Sequence, residues 1–375
     1  MRLTWKQVAA WRVRRQHLDR RLPAGRMLAV ASRLCGLHAQ VLSSAELTAW
    51  ARVENLKRGT VARALWEDRT LVKTWAMRGT LHLLPSGELA LWHAALRQNP
   101  RYLRPDAWKR NFGITLDELD HLTEMIGKAL TDRVMTREEL AKEVAKLSGS
   151  AAFADKLAMS SWGIVLKPAA FAGHLCFAPG IGQRVRFTHP NTWVRSLSKT
   201  VESQAAAASV TRRFLGAYGP ATHHDLARWW GGGGVANAKL WISALGEEVT
   251  AVDLEGSKAW MLATDAREAR EIPSIRSVRL LPGFDQYVVS ASRHAEKLLA
   301  GKRSRVYRPQ GWISPVLLVN GRMEGTWSHE LKGSRVEVVI RPFLRQPDWV
   351  RRGAGEEAER LAAFFHGALS LAWKK

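Results

Sequence analysis

Hydrophobic and polar positions predict a series of short helices in the first two thirds of the chain. Helix-start signals pair a hydroxyl side chain with an acid or amide three residues later. They stand at Thr4/Gln7, Ser43/Glu46, Thr115/Glu118, Thr136/Glu139 and Thr222/Asp225. Apolar residues then follow at helical spacing, as Leu47, Trp50 and Val53 do behind Ser43.

A pair of β-rich runs with a tight turn follows each group of predicted helices. The predicted hairpins are Leu71–Trp75 with Thr80–Leu84, Leu175–Ala178 with Arg184–Thr188, and Val249–Leu254 with Lys258–Leu262. Helices followed by a two-stranded hairpin are typical of a winged helix-turn-helix unit, so three successive copies predict three tandem units. The alternative is an unrelated α+β chain in which helices and hairpins merely alternate.

The pattern changes after Ser277 to short apolar runs that Gly and Pro separate. These runs, each predicted to be a strand, are Val278–Leu281, Val288–Ser290, Val316–Val319, Gly325–Trp327 and Val336–Ile340. They predict a small antiparallel sheet or β-barrel, which a final helix from Glu356 to Ala372 closes. The expected fold class is α+β, with domains at residues 1–110, 111–200, 201–275 and 276–375.

Composition narrows the class of protein. The 375 residues are 46% hydrophobic, and no stretch supplies the ~20 uninterrupted apolar residues of a membrane span. The N-terminus has no apolar region of the signal-peptide kind. Two cysteines, Cys35 and Cys176, exclude a disulfide framework and a Cys-rich zinc module. We therefore expect a cytoplasmic protein, without a membrane partner, a metal or a cofactor.

Positive charge is concentrated at the two ends of the chain. Of a net charge of +23, residues 1–110 carry +14 and residues 276–375 carry +9, whereas the middle is nearly neutral. Segregated charge of this kind indicates a polyanionic partner, and nucleic acid fits it best. A membrane surface and a merely solvated basic surface are the alternatives. Lys109 and Arg110, in the basic N-terminal part, are candidate DNA contacts.

One short segment carries candidate chemistry. Leu34–Gln40 ends a helical run and sets His38 and Gln40 two residues apart, with Ala39 between them. In an extended segment both side chains would lie on the same side, where they could orient one water molecule. A histidine near its ordinary pKa could also accept that water's proton. The alternative is a structural histidine that caps the helix.

This segment and four further blocks resemble the AlkZ/YcaQ-type winged-helix DNA glycosylase family. The blocks are Arg78–Leu83, Tyr218–Thr222, Leu280–Asp285 and Gly321–Trp327. The resemblance runs over essentially the whole chain in the family's order. It implies three tandem winged helix-turn-helix units in a C-shape around DNA, followed by a C-terminal β-barrel. The family motif is Gln, an aliphatic residue, then Gln or Asp. It falls here on His38-Ala39-Gln40, so the first position departs from the commonest form.

The resemblance implies an enzyme that removes N7-alkylated purines from double-stranded DNA, including bulky or crosslinking adducts made by genotoxic antibiotics. His38 and Gln40 are then the catalytic residues. Further candidates for contacting DNA or bordering the cleft are Arg78, Thr80, His82 and Asp285. We expect Arg78, Thr80 and His82 to alternate onto one face of the first hairpin, although Thr80 and His82 would also serve to stabilise it.

An alkylated purine carries a positive charge and leaves without a general acid, so the site needs an oriented water and neither a metal nor a nucleophilic lysine. No lysine lies near His38, which predicts a monofunctional glycosylase. We expect a monomer that is associated with the nucleoid. The alternative is a non-enzymatic winged-helix DNA-binding protein, either a regulator or a lesion-binding shield.

Overall fold

The computed structural model describes residues 1–98, 105–159, 161–194 and 201–374. Helices and short strands alternate in the first range. They are β1 (Arg2–Leu3), α1 (Trp5–Arg15), α2 (Met27–Arg33), β2 (Leu37–His38), α3 (Leu42–Trp50), α4 (Thr60–Trp66), β3 (Leu71–Trp75), β4 (Leu81–Pro85) and α5 (Leu89–Leu96).

The next described residues, up to residue 194, are mainly helical. They form α6 (Pro105–Phe112), α7 (Leu116–Leu130), β5 (Val134–Thr136), α8 (Arg137–Ser148), α9 (Ala151–Met159), α10 (Lys167–Ala172), β6 (Cys176–Ile181), β7 (Arg184–Thr188) and α11 (Pro190–Trp193). The predicted domain boundary after residue 200 lies outside the described residues.

Residues 201–374 form helices and a hairpin, then a sheet. The elements are α12 (Ser203–Tyr218), α13 (His223–Trp230), α14 (Gly234–Ser243), β8 (Val249–Leu254), β9 (Ser257–Leu262), α15 (Ala263–Arg270), β10 (Val278–Leu281), α16 (Gln286–Ser290), α17 (Ala295–Leu298), α18 (Arg303–Val306), β11 (Val316–Val319), β12 (Arg322–Lys332), β13 (Arg335–Pro342), α19 (Asp348–Phe364) and β14 (Ala368–Trp373).

These elements form two compact units. The first unit comprises Met1–Val61, Thr211–Leu226 and Ile242–Lys375, and the second comprises Ala62–Val210 and Ala227–Trp241. The first unit is therefore assembled from three separate stretches of chain, whereas most of the second is continuous. The four consecutive domains stay a prediction.

In the first unit, the N-terminal helix packs on the third hairpin. β8 and β9 pair antiparallel, and β1 adds to β8 in parallel. Val8 and Trp11 of α1 belong to the same buried cluster as Val252 and Met261 of the hairpin. Apolar residues at helical spacing thus cover one face of the small sheet and remove it from water.

The C-terminal sheet of the first unit is open and has five strands in the order β10-β11-β12-β13-β14. The expected β-barrel is therefore wrong, although mixed α+β architecture is confirmed. β10 to β13 form an antiparallel meander, but β14 pairs with β13 in parallel, with Val336 opposite Leu369. A parallel neighbour requires a crossover, which α19 provides.

The predicted helix from Glu356 to Ala372 is wrong in its second half. α19 begins earlier, at Asp348, and ends at Phe364, where His366 takes a left-handed φ of 56°. The amides of His366 and Gly367 donate to the carbonyls of Ala363 and Ala362, which is a Schellman ending. The sequence gives no signal for this helix end, because His366 occupies the left-handed position where glycine usually stands.

A second difference lies at Val288–Ser290, which was expected to be a strand. These residues belong to the helix α16, because the Asp285 side chain accepts from the Tyr287 amide and so caps the helix N-terminus. The short apolar run could not distinguish a buried helix from a strand.

The second unit contains the first two hairpins. β3 pairs with β4, with Thr74 opposite His82, and its turn Met77–Gly79 is the predicted one. β7 pairs with both β5 and β6. All three predicted hairpins are confirmed, and their strand ends differ from the prediction by at most three residues.

Four of the five predicted helix-start signals are confirmed by hydrogen bonds at the helix N-terminus: Thr4/Gln7, Thr115/Glu118, Thr136/Glu139 and Thr222/Asp225. The signal at Ser43/Glu46 is wrong. α3 already begins at Leu42, and the Glu46 carboxylate accepts from the Gly59 amide at 2.7 Å instead.

Among the described helices, none combines the length and the apolar character needed to cross a membrane.

Candidate active site

The segment that carries His38 and Gln40 follows α2, which ends in a tight turn. The Gly36 amide donates to the Ala31 carbonyl at 2.7 Å, and the Cys35 amide donates to the Ser32 carbonyl at 3.1 Å. This is again a Schellman ending, with Cys35 at φ 60° and Gly36 at φ 96°. Two successive left-handed residues reverse the chain and lead directly into β2, which ends at His38.

Two buried side chains from distant parts of the first unit hold this turn. The Tyr218 hydroxyl donates to the Leu34 carbonyl at 2.7 Å, and the Gln286 amide donates to the Gly36 carbonyl. Tyr218 is 2% exposed and Gln286 is 4% exposed. Because both bonds end on main-chain oxygens, they fix the path of the backbone before His38.

The His38 ring stacks on Phe284. The ring centroids are 5.3 Å apart and the planes differ by 6°, an offset parallel arrangement. Phe284 in turn packs against Trp312 at 5.3 Å between centroids. His38 and Phe284 are 5% and 8% exposed, whereas Trp312 is 52% exposed. The three rings thus form an aromatic row that leads from the candidate site to the surface of the first unit.

Phe284 is held in place by its neighbours in the block Leu280–Asp285. It has a left-handed φ of 61°. The fully buried Asp285 carboxylate accepts two hydrogen bonds from the Arg52 guanidinium, at 2.6 and 2.8 Å. A Cβ on Gly283 would lie 2.9 Å from the Ile313 carbonyl oxygen, so only glycine fits there. This burial leaves no surface of Asp285 for DNA, and its contacts are those of a residue that positions Phe284.

Gln40 differs from His38 in its surroundings. Ala39 is fully buried, but Gln40 lies in the bend before α3 and its side chain is exposed. An exposed amide next to a buried, stacked imidazole gives one group that solvent can reach and one group held in a fixed orientation. Their convergence on one water molecule stays a prediction.

Two of the other blocks that resemble the family, Tyr218–Thr222 and Gly321–Trp327, accept hydrogen bonds from side chains of the first unit. Arg12 donates to the Pro220 carbonyl at 2.8 Å, which ties α1 to the block Tyr218–Thr222. The Tyr287 hydroxyl donates to the Gly321 carbonyl at 2.6 Å, next to the start of β12. Burial raises the pKa of Tyr287, so this hydroxyl keeps its proton and remains a donor.

Positive charge surrounds the helix ends that precede the site. His17, at the end of α1, has its pKa lowered to about 4 by burial and then by the nearby Arg33 and Arg52. His17 is therefore neutral at physiological pH. Arg52 is itself buried and paired with Asp285, so part of this positive charge lies inside the first unit.

The candidates Arg78, Thr80 and His82 belong to the second unit. Arg78 lies in the turn at φ 60° and donates to the Trp229 carbonyl at 2.7 Å. The Thr80 hydroxyl donates to the Met77 carbonyl at 3.0 Å. His82 is 1% exposed and its Nδ1 lies 3.0 Å from the Thr80 carbonyl oxygen. The expected alternation is wrong for Arg78, whose left-handed conformation places it in the turn, whereas Thr80 is extended and leads into β4.

The candidates Lys109 and Arg110 lie in the last turn of α6, also in the second unit, and both are exposed. Within the described part of the chain, no group of three or more His, Cys, Asp or Glu side chains is arranged to hold a metal ion.

Residue-by-residue reasoning missed the side chains that support His38, namely Arg52, Tyr218, Phe284 and Gln286. Tyr218 and Phe284 lie in the blocks that resemble the family. The sequence gives no signal for Arg52, since an arginine at helical spacing is typical of a solvated face.

Comparisons with known proteins identify the family of the chain. A model of the family described as "DNA glycosylase AlkZ-like" matches residues 31–364. An "Interstrand DNA cross-link repair glycosylase" from Streptomyces sahachiroi is 39% identical over 347 residues, which cover 92% of this chain and 91% of the relative. The solved structure of Streptomyces sahachiroi DNA glycosylase AlkZ is 37% identical, covers 100% of both chains and superimposes with a TM-score of 0.88.

The family model spans most of the chain, including the His38-Ala39-Gln40 motif and the Leu280–Asp285 block that supports it. It decides between an enzyme and a non-enzymatic DNA-binding protein in favour of the enzyme. The chain belongs to the AlkZ-like family and is a DNA glycosylase.

Proposed function

We propose that this glycosylase hydrolyses the N-glycosidic bond of N7-alkylated purines in double-stranded DNA, with His38 and Gln40 as its catalytic residues. The observation that carries the proposal is the stack of His38 on Phe284 at 5.3 Å, directly beside the exposed Gln40. A ring held this way is pre-oriented, which is what a group that positions a water molecule needs.

The proposed reaction is the attack of water on C1′ of the deoxyribose. The bond between C1′ and N9 breaks, and its electron pair moves to N9, where it neutralises the positive charge of the alkylated base. The water oxygen forms the new bond to C1′ and its proton passes to His38. Gln40 holds the water by its side-chain amide. No proton has to be delivered to the leaving base, so two polar residues are sufficient.

The proposal is for a monofunctional enzyme. Between Lys6 and Lys57 the sequence contains no lysine, so the segment offers no amine for a Schiff base with the sugar. We also propose bulky and crosslinking N7 adducts as substrates. The support is the name of the Streptomyces sahachiroi relative, which acts in interstrand crosslink repair, together with the exposed Trp312 at the end of the aromatic row.

The proposal also covers the architecture of the chain, its DNA contacts and its oligomeric state and location. It includes three tandem winged-helix units, DNA contacts from Arg78, Lys109 and Arg110, and a monomer that works on chromosomal DNA in the cytoplasm. The support for the DNA contacts is the positive charge of residues 1–110 and the exposure of Lys109 and Arg110 on α6.

Duplexes with one defined N7-guanine adduct test the proposal. We expect release of the free adducted base and an alkali-sensitive site at the same position, without strand cleavage before alkali. A series from N7-methylguanine to a bulky adduct and an interstrand crosslink then defines the substrate range. Release of undamaged bases alone, or release that depends on a lysine, would contradict the proposal.

A further inference from the structure

A small basic pocket lies in the first unit, away from the His38 segment in the sequence. It has a volume of about 210 Å³, and its lining includes Asn55, Lys57, Arg58, Arg360, Phe364 and His366. We call it the basic pocket. Lys57, Arg58 and His366 are exposed at its rim, whereas Phe364 is 6% exposed. The described residues that line it include no acidic side chain.

Arg360 is held so that its charge stays at this pocket. Its guanidinium lies 4.4 Å from the centre of the Trp50 ring, and its Nη2 donates to the carbonyls of Trp50 and Val53 at 2.6 and 2.7 Å. Its other terminal nitrogen, Nη1, is buried and has no hydrogen-bond partner among the described residues. A buried N–H group of an arginine without a partner is costly, so the protein around the pocket does not fully compensate the Arg360 guanidinium.

Arg360 together with Arg21 and Arg279 carries one positive charge more than the two nearby glutamates balance. Burial, together with Arg21 and Arg279, lowers the pKa of Arg360 to about 10, against the opposite effects of Glu357 and Glu54. Glu357 is already paired with Arg21 and lies 3.9 Å from Arg279. The neighbouring acids therefore do not neutralise the arginines, and an added anion would be stabilised.

Two helices end at this pocket, and a helix C-terminus ordinarily disfavours an anion. Here the carbonyls at both ends are occupied. Arg360 bonds those of Trp50 and Val53 at the end of α3. The Schellman ending of α19 uses those of Ala362 and Ala363. The charges of Lys57, Arg58 and Arg360 thus dominate the pocket.

We propose that the basic pocket binds a phosphate group. Arginine and lysine together give a forked donor and a point charge, the usual combination for phosphate oxygens. Two sources have this chemistry: a phosphodiester of the DNA backbone and free phosphate. The DNA source rests on the DNA-binding part of the proposed function but not on His38 or Gln40.

The test removes the two exposed charges and leaves Arg360 intact, because Arg360 also supports α3. The variant Lys57→Gln/Arg58→Gln is compared with Lys302→Gln/Arg352→Gln, in which two exposed charges of the first unit outside the pocket are removed. Binding to an undamaged duplex is measured against salt. For one phosphate contact, we expect the slope of log K against log [salt] to become shallower by about 0.9 only in the pocket variant.

Two further measurements separate the sources. A duplex with a single neutral methylphosphonate, moved along the backbone, should at one position bind wild type and pocket variant equally, which identifies a DNA phosphodiester. If the salt slopes are equal, exchange of chloride for phosphate at constant ionic strength should raise the melting temperature of wild type and not of the pocket variant, which identifies free phosphate. If the pocket variant matches the control variant in all three measurements, the pocket does not bind phosphate.

Failure of this proposal and failure of the proposed function give different results. The binding assays use undamaged DNA, so they hold whether or not any base is released. Excision from an alkylated duplex at saturating enzyme should be the same in wild type and the pocket variant, since neither Lys57 nor Arg58 belongs to the His38 segment.

Discussion

The two compact units hold their candidate functional segments by different means. In the first unit, the turn before His38 is fixed by Tyr218 and Gln286, which lie 184 and 250 positions away from the carbonyls that they bond. In the second unit, side chains of the turn before His82 themselves donate: Thr80 to the carbonyl of Met77 and Arg78 to the carbonyl of the distant Trp229. The turn before His38 is thus anchored through its main-chain carbonyls by side chains from elsewhere in its unit, whereas the turn before His82 is anchored through its own side chains.

The largest expected effect concerns the first unit. His38→Ala should slow base excision by about 10²–10⁴-fold, the usual contribution of a positioned base, and Gln40→Ala should slow it through loss of the amide that holds the water. Gln40 is exposed, so its variant should melt as wild type does, and binding of undamaged duplex should stay within a few-fold. Single-turnover excision at saturating enzyme measures the effect.

His38→Gln is the informative companion, because it supplies an amide that can hold water but removes the imidazole that would accept the proton. We expect it to remain active, whereas His38→Ala, which has neither group, should be slowed. Normal excision by His38→Ala at every pH, with an inactive Gln40→Ala, would reduce His38 to a residue that shapes the site.

The second unit should respond in stability instead. His82 is 1% exposed, so His82→Ala should lower the free energy of unfolding by about 2–4 kcal/mol, as for other buried rings. The excision rate of the folded enzyme should be unchanged. Urea denaturation and single-turnover excision measure the two effects. A normal denaturation midpoint with lost excision would instead make His82 a cleft residue.

Acid should weaken the second unit through His93. Burial, then Arg97, His174 and His189, lowers the pKa of His93 to about 3. An unfolded histidine takes up a proton near pH 6.5, whereas the folded one does not. The stabilisation is therefore complete above pH 6.5 and is lost as pH falls towards 3, by about 2 kcal/mol at pH 5.

Urea denaturation at pH 7.5 and pH 5 checks this expectation. His93→Leu should flatten the pH dependence by about that amount. His121→Leu, which changes an exposed histidine of the same unit, should not. Equal flattening in both variants would contradict the assignment to His93.

The smallest effect tests the distant contacts of the first unit. Tyr218→Phe removes the bond to the Leu34 carbonyl and should cost about 1 kcal/mol. Tyr287→Phe removes a similar buried bond, to Gly321, at a similar cost. Only Tyr218→Phe should also slow excision, because only its bond ends on the turn that carries His38. Equal rates in the two variants would mean that this bond does not position the site.

The comparison also explains which parts of the structure could be predicted from sequence. The bounds of the strand Leu71–Trp75 and of its turn at Met77–Gly79 agree with the prediction, because a β-rich run and a turn glycine are local signals. The end of the chain was not predicted correctly. His366 stands where a glycine would have indicated the end of α19, and the pairing of β14 depends on the distant β13. Of the candidate site, the resemblance supplied the motif. The bonds of Tyr218 and Gln286 end on main-chain carbonyls, which no pattern of side chains encodes.

The way in which the His38 turn is held has a consequence for how such an enzyme can change over evolutionary time. The bonds from Tyr218 and Gln286 end at the main-chain oxygens of Leu34 and Gly36, and neither uses the side chain at position 38 or 40. A substitution at position 38 therefore leaves the anchoring of the backbone intact. Over evolutionary time one polar side chain can therefore replace another at position 38 without loss of the turn that carries it.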